Sequence, residues 1–394
     1  MLKRLLIIEE ALRDRKAHWF SYIKTIARAA ADRGMKVDVA CNFKADTDII
    51  SAFNSFPIFG HSVYLDQHRR KLPGERFYSF ILHSYRMLKA LWPLLKKGET
   101  YDEIFVPTVL VQHLLAWWVI MNFHSNRPRR LTLFFVATPG VWNEDLSKSE
   151  FPRSSILMRF LLRRFRRRKD VRLGVETTSA LKEYESMTDL KFTLFPHPVE
   201  FDVSPAPVPN SLCLEFCCYG FARHEKGSDL LASAVNSIEA AHMVPGIHFR
   251  VQWIDTFRMP DGADCGPDNL KNNKRVTLIT HALNENEYLE ELKNTTCMLL
   301  PYRNSSYHSR LSRVAIEAAF LGIPMIYTKG GWLEEHVVEY GAGIGIKDGS
   351  VDELVNAIET MAAHINEYKK TAVMKMSAAR DYYSGHRFVD ILLK

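Results

Sequence analysis

Residues 299–349 read LLPYRNSSYHSRLSRVAIEAAFLGIPMIYTKGGWLEEHVVEYGAGIGIKDG, and this stretch decides the fold. The apolar run 298–301 has strand character and gives way to a polar loop. A helical stretch follows, in which Glu317 is the one acid among apolar residues. Residues 324–328 form a second strand-like run, and Gly330-Gly331 opens another helix. A carboxylate placed on such a helix can accept hydrogen bonds from a ligand's hydroxyls. A glycine pair lets backbone N–H groups approach phosphate at a helix start. Strand, loop, helix, strand, glycine loop and helix in this order make part of a parallel α/β sheet, and the chemistry suits a nucleotide-diphosphate sugar.

The alternation extends outward in both directions. Upstream in the second half, strand-like runs at 212–219, 248–254 and 276–280 alternate with helical stretches at 228–240 and 285–293, and a Gly/Asp/Asn/Pro-rich loop spans 259–274. Closing helices are expected over 351–363 and 371–394. In the first half, strands are expected at 4–8, 36–42, 62–66, 101–107, 131–137, 171–176 and 192–196. Helices fall at 19–33, 77–97, 110–123 and 179–187, with Pro93 marking a kink or an early end. Between the halves, 202–211 (DVSPAPVPNS) carries three prolines and no apolar period, as a stiff linker does. The expected organisation is a first domain over 1–201, the linker 202–211, a second domain over 212–376 and a final helix over 377–394. Two doubly wound α/β domains joined this way would face a central cleft at the carboxyl ends of their strands.

The 394 residues are too many for one compact core. The fractions, 47% hydrophobic and 25% charged, are those of an ordinary soluble globular protein. No apolar run reaches the roughly 18 residues of a membrane helix; the nearest, 110–123, is broken by Gln112 and His113. The N-terminal apolar stretch is closed by Glu9 and Glu10 and reads as a first strand, not a signal peptide. The six cysteines show no metal spacing and fall mostly in strand-like runs, which suits a reduced, cytoplasmic protein.

The net charge of +7 is concentrated in 153–169, RSSILMRFLLRRFRRRK. Ile156, Leu157, Phe160, Leu161 and Phe165 recur there on a helical period while cations crowd the C-terminal half. Three interpretations stay open: a solvated helix with cations at the favourable end of its dipole, a face for anionic lipid at a cytoplasmic membrane surface, or a nucleic-acid contact. No nucleic-acid motif accompanies the charge.

The segments together resemble the GT-B fold and, in the second half, the donor side of retaining glycosyltransferases of family 4. Leu300-Pro301 opens the loop, Glu317 stands at the second acid of the family's Glu-x7-Glu, and Gly322-Ile323-Pro324 matches its Gly-x-Pro. Gly330-Gly331 matches the glycine loop and 341–345 the late glycine turn. The segment 219–230, YGFARHEKGSDL, resembles the family's Gly-Arg-x4-Lys-Gly signature: Gly220, Lys226 and Gly227 match, Phe221 replaces the Arg, and Arg223 lies two residues on. Ser309 takes the place of the first Glu, beside His308 and Arg310; Tyr307, Arg310 and Ser312 resemble a Tyr-x-x-Arg-x-Ser pattern of some capsule and lipopolysaccharide enzymes. Pro196-His197-Pro198-Val199 resembles the segment before the interdomain linker, and 381–388 the helix that crosses back to the first domain.

The resemblance implies a set of roles. Lys226 and Arg223 would stabilise the leaving diphosphate, with Ser309 at the sugar. Glu317, Gly220, Arg310, Ser312, Gly330 and Gly331 would hold the donor. The first domain would supply acceptor-side groups, for which His18, His113, Glu144 and Asp145 are the candidates. No metal is expected, on the reading that no Asp-x-Asp follows an expected strand. The implied function is transfer of a sugar from a UDP- or GDP-linked donor to a glycan or polyprenyl-linked glycan in bacterial surface polysaccharide synthesis, with no further cofactor. The implied place is the cytoplasm, with peripheral contact to an anionic membrane through 153–169. Ser309 and Phe221 motivate an alternative, a catalytically degenerate GT-B module that binds nucleotide or glycan. The arginine run alone motivates a third, a polynucleotide-binding protein.

Overall fold

The computed structural model describes residues 3–15, 18–63, 74–97, 100–142, 149–151, 153–200, 213–241 and 245–394. The chain divides into two compact units, Met1–Val141 with Ser149–Glu200 and Tyr383–Lys394, and Trp142–Lys148 with Phe201–Tyr382. The expected linker 202–211 lies outside the described residues.

In the first unit the strands β1 (Arg4–Ile8), β2 (Lys36–Asn42), β3 (Asn54–Phe59), β4 (Glu103–Val106) and β5 (Arg130–Phe135) belong to one sheet. Two short strands, β6 (Val141–Trp142) and β7 (Ser149–Glu150), flank residues 143–148, and β8 (Val171–Val175) and β9 (Thr193–Leu194) complete the sheet. Its order is β3-β2-β1-β4-β5-β8-β9, and its pairs are parallel. The helices are α1 (His18–Asp32), α2 (Thr47–Ala52), α3 (Glu75–Lys97), α4 (Val111–Phe123), α5 (Arg153–Arg163) and α6 (Thr178–Thr188). Alternate side chains of β1 go to opposite faces, as the strand period requires. Leu6 and Ile8 join Met87, Leu91 and Trp117 of α3 and α4, whereas Leu5 and Ile7 join Ile23 and Ile26 of α1. Two covered faces are why β1 reads as a continuous apolar run.

The second unit repeats the plan. Its strands are β10 (Leu214–Cys218), β11 (Ile247–Gln252), β12 (Phe257–Arg258), β13 (Asp264–Cys265), β14 (Val276–Ile279), β15 (Cys297–Leu300), β16 (Met325–Thr328) and β17 (Gly343–Ile346). Six of them form a parallel sheet in the order β14-β11-β10-β15-β16-β17. Its helices are α7 (Ser228–Ala240), α8 (Asp268–Lys271), α9 (Glu285–Lys293), α10 (Asn304–Tyr307), α11 (Arg313–Phe320), α12 (Trp332–Tyr340), α13 (Val351–Ala363) and α14 (Ile365–Tyr382). α15 (Gly385–Leu393) then returns the chain to the first unit.

Four local expectations change. A third strand stands at Asn54–Phe59, where Pro57 is tolerated because β3 is the sheet edge and a missing N–H costs no ladder bond; residues 64–66 of the strand expected at 62–66 lie outside the described residues. α3 continues past Pro93 to Lys97. Side chains beyond α4 serve its last turns: Asn126 donates to the Leu95 carbonyl at 2.8 Å, and His124 Nε2 lies 3.1 Å from the Trp92 carbonyl. The loop 259–274 contains the strand β13, paired with β12, and the short helix α8. The single closing helix is two, separated at Tyr383-Ser384, because the Ser384 hydroxyl accepts the Arg387 N–H at 3.0 Å and caps α15 afresh. Phe388 of α15 is fully buried, with its ring 5.2 Å from Phe105 and 5.0 Å from Phe195. Truncating such a ring costs about 3–5 kcal/mol. Among the described residues no helix is long and apolar enough to cross a membrane.

Candidate functional site

Each sheet reverses its winding once, between β1 and β4 in the first unit and between β10 and β15 in the second. Loops diverge at such a point and leave a crevice beyond the carboxyl ends of the strands. What fills the two crevices differs.

In the second unit, β10 runs into Tyr219-Gly220 and then a single 3-10 turn, His224–Lys226, which leads into α7. Gly220 has φ +93, and its N–H donates to Gln252 Oε1 of β11 at 2.6 Å. The positive φ disfavours a side chain there, and a Cβ would displace Lys226 Nζ, which lies 2.4 Å from where it would stand. Gly227 has φ +64, and a Cβ on it would stand 1.9 Å from the Pro301 carbonyl oxygen. This contact presses the turn against the end of β15. Lys226 Nζ therefore lies over Gly220 and 5.8 Å from the centre of the Tyr302 ring. Among the described residues it has no hydrogen-bond or ion-pair partner. Burial lowers its pKa, and Arg223 adds to this while the Cys218 thiol and Glu225 oppose it. α7 begins without a side-chain cap, so an unpaired cation and a bare helix N-terminus adjoin.

Arg223 is exposed, reaches Glu225 Oε1 at 3.3 Å and lies 6.0 Å from the Phe221 ring centre. Glu317 is buried at 2% exposure; Oε2 accepts the Tyr288 hydroxyl at 2.7 Å and Oε1 accepts Arg313 Nε at 2.8 Å. Arg313 is 37% exposed on its side chain, so it covers the carboxylate from the solvent side. Tyr288 in turn is held well above the ordinary phenol range, by burial first and by Glu317 second.

The other expected donor residues have local duties. Ser312 is the N-cap of α11, its hydroxyl accepting the Ala315 N–H at 3.4 Å. Gly330 gives its N–H to Glu334 Oε2 at 2.8 Å, and its carbonyl meets His308 Nδ1 at 2.8 Å. The Trp332 N–H goes to the His308 carbonyl at 3.1 Å. The glycine loop thus spends two of its N–H groups on the protein, and Gly331 packs against His308. Ser309 is buried in the turn before α11, and Arg310 is exposed beside it.

In the first unit the crevice is closed by carboxylates. Glu9 follows β1; its Oε2 accepts the Thr108 hydroxyl at 2.5 Å and its Oε1 the Ala11 N–H at 2.9 Å. Burial pushes its carboxyl up to about 7, against the pull of those two hydrogen bonds. Glu10 accepts the Val63 N–H at 2.6 Å and faces His83 Nε2 at 2.9 Å and His113 Nε2 at 3.3 Å. Burial alone would raise the Glu10 carboxyl, but His113 and His83 outweigh it and hold it well below the usual carboxylate range. These ligand-type atoms lie within 4.8 Å of one another, close enough for a metal ion. The tautomer argues otherwise. His113 Nδ1 accepts the Leu110 N–H at 3.0 Å, so the ring proton is on Nε2 and points at Glu10.

His113 is accordingly a core group, 1% exposed, and is not presented to an acceptor. His18 opens α1, but its side chain lies outside the described residues, as do Glu144 and Asp145. An Asp-x-Asp after a strand does occur in the first half, at Asp46-Thr47-Asp48; Asp46 caps α2 through Ile49 N–H at 3.0 Å, and Asp48 lies 3.3 Å from Arg15. Sequence reasoning missed Tyr288, Tyr302, Glu9 and His83. The adjacent pair Glu9-Glu10 directly after an apolar strand was the available signal for the second group.

No protein-family model matches the chain, and no curated protein matches its sequence. Solved structures do match. A sucrose-phosphate synthase from Thermosynechococcus elongatus aligns with a TM-score of 0.66 at 16% identity, over 99% of this chain and 96% of that one. The fold is GT-B. The lipopolysaccharide outer core galactosyltransferase WaaB, in its apo form, gives 0.65 at 12% identity over 99% of each chain. Anabaena HepE in complex with UDP and glucose gives 0.62 at 13% identity, over 99% of this chain and 97% of that one. At these identities the likeness is one of fold. What a GT-B chain does is decided by its two crevices, and here they are cationic in one unit and carboxylate-filled in the other.

Proposed function

We propose that this protein transfers a sugar from a UDP- or GDP-linked donor to a glycan hydroxyl, with retention of anomeric configuration. The observation that carries the proposal is Lys226, a half-buried amine at the winding reversal of the second sheet with no hydrogen-bond or ion-pair partner among the described residues. A buried cation lacking a partner is costly in the free protein. A diphosphate bound there removes that cost, favours the charged form of Lys226 and meets the start of α7. As the sugar–oxygen bond breaks, negative charge grows on the leaving phosphate. A fixed ammonium then stabilises the transition state more than the ground state. Arg223, exposed and held only by Glu225, is free to swing onto the same phosphates. Glu317 would take the ribose hydroxyls in place of Arg313, the solvent-side member of the pair, so that the buried carboxylate keeps hydrogen-bond donors throughout. Ser309 and Arg310 would lie toward the sugar. No metal enters this scheme, since lysine and arginine supply the charge.

The acceptor is proposed to be a glycan or polyprenyl-linked glycan of a bacterial surface polysaccharide. The enzyme would work from the cytoplasm, on the inner face of an anionic membrane reached through 153–169. The HepE and WaaB likenesses support the donor class, and the exposed arginines of 163–167 support the membrane.

Calorimetry with UDP and GDP, followed by nucleotide release from the matching sugar donors, tests the function. Binding of one nucleotide that weakens in both Lys226→Ala and Glu317→Ala, together with donor turnover, supports it. Binding without turnover on any donor would make the chain a nucleotide-binding GT-B module instead. Nucleotide binding that ignores both substitutions would overturn the assignment of the site.

A further inference from the structure

One helix of the first unit is amphipathic on both sides. α3 turns Phe80, His83, Met87 and Leu91 into the core. At 100° per residue the opposite face is Phe77, Ile81, Trp92, Tyr85 and Tyr78, within an arc of about 100°. These side chains are 66%, 44%, 37%, 60% and 68% exposed. Lys89 and Lys96, both exposed, fall on the same face, and after Glu75 the helix contains no acid. A row of exposed aromatics ending in lysines is unlike an ordinary solvated helix face, which is polar.

α3, α4 and α5 cover the same side of the sheet, since Phe80, Trp117 and Leu161 belong to one core cluster. Their outer surfaces therefore look the same way. α5 exposes Ile156 and Phe160, with the Arg164 guanidinium 4.5 Å from the Phe160 ring centre. The helix ends at Arg163, so the rest of the arginine run lies in turns. Arg163 pairs with Asp189 and Arg168 with Asp170, whereas Arg159, Arg164, Arg167 and Lys169 have no acidic partner among the described residues.

We propose that the Phe77-Ile81-Tyr85 stripe of α3 inserts into the interface of an anionic bilayer, beside Ile156 and Phe160, while the arginine run holds the headgroups. The proposal rests on the membrane reading above and deepens it, because the sequence pointed to 153–169 and to an aromatic-rich first domain without saying which aromatics are exposed. Charge selects the occupant. A second copy of this chain meeting the same face about a twofold axis would bring the two arginine runs together and be repelled. An anionic bilayer attracts them, and tyrosine and tryptophan favour the headgroup level.

The test is co-sedimentation with vesicles of phosphatidylcholine alone or mixed with phosphatidylglycerol. The full chain is compared with Phe77→Ser/Tyr85→Ser and with Arg164→Gln/Arg167→Gln, each checked for an unchanged thermal midpoint. The full chain is expected to bind the anionic vesicles. The α3 pair should lose about tenfold or more in partitioning. The arginine pair should lose about tenfold and much of its salt sensitivity. If the α3 pair binds as well as the full chain while the arginine pair does not, the contact is electrostatic alone; this inference falls and the membrane reading stands. If the full chain binds neither vesicle, both fall, and nucleotide release still tests glycosyl transfer separately. Concentration-dependent self-association that the α3 pair abolishes, with no lipid binding, would show that a second copy covers the stripe and would overturn the proposal.

Discussion

The two crevices come from one topology and hold opposite chemistry. At the first, Glu9 reaches across to Thr108, and Glu10 is enclosed by Val63, His83 and His113. Every charge there is answered from within the unit. At the second, Gly220 and Gly227 bring the chain close enough for Lys226 to sit over bare backbone, and among the described residues no hydrogen bond or ion pair holds its amine. Winding order decides where a crevice forms, and the residues that end the central strands decide whether it is filled or vacant. The first is a stability element at a position where a ligand site is topologically possible. The second leaves an amine without a hydrogen bond or ion pair among the described residues, where the proposed function puts an anion.

The largest effect expected from this contrast is on rate. Lys226→Ala should lower donor-dependent nucleotide release by about 10²–10³-fold, the usual loss for one preorganised charge-stabilising donor. Urea unfolding should move little or slightly upward, because an unpaired buried amine has been removed. A large loss of stability with unchanged turnover would erase the distinction between the crevices. Glu10→Ala should show the reverse. Two histidines lose the carboxylate they face, and urea unfolding should report a loss of about 3–5 kcal/mol. UDP or GDP affinity measured well below the unfolding midpoint should stay as it was.

Glu9 sharpens the contrast through pH. Its carboxyl is raised from 4.5 to about 7, so the folded state favours the protonated form. The associated stability is fully present below 4.5 and lost as pH rises through about 7. Glu9→Gln mimics the protonated acid. It should match the parent protein at low pH and exceed it above neutrality by up to about 3 kcal/mol, with urea midpoints across pH as the measurement. Parallel pH profiles for the two proteins would mean that Glu9 is not held as a neutral acid. The smallest change is expected from Tyr288→Phe. It removes one hydrogen bond to the Glu317 carboxylate and should cost about 2 kcal/mol in unfolding. Nucleotide affinity should fall by less than in Glu317→Ala, since the carboxylate itself remains.

Much of the fold was legible because it rests on local periodicity. Leu5 to Ile8 and Cys297 to Leu300 are apolar on every residue, which marks strands covered on both faces. The helices 351–363 and 19–33 came out within a residue of α13 and α1. The misses are places where a tertiary neighbour overrode the local signal. Pro57 sits in a strand because the strand is an edge, and Pro93 sits in a helix whose last turns are met by Asn126 and His124.

The site was legible in part. Lys226 and Gly220 were picked out by resemblance to a family signature, and the structure brings them into contact. Gly330 and Ser312 matched other motifs of the resemblance, yet Glu334 takes the N–H of one and the hydroxyl of the other caps α11. A motif gives residue types at intervals and does not say which hydrogen bonds the protein satisfies by itself. His113 was ambiguous for the same reason, and its tautomer follows from a backbone N–H three residues upstream.

The sequence alone determined the alternation of strands and helices, the two halves, and the concentration of cations in 153–169, because each is a property of near neighbours along the chain. Only the tertiary structure decided which charges are answered. Glu10 finds its histidines 73 and 103 residues away, Glu317 finds its tyrosine 29 residues away, and Lys226 finds no hydrogen-bond or ion-pair partner among the described residues. The energy of a buried charge depends on partners within a few ångströms in space, and chain separation carries no record of that distance.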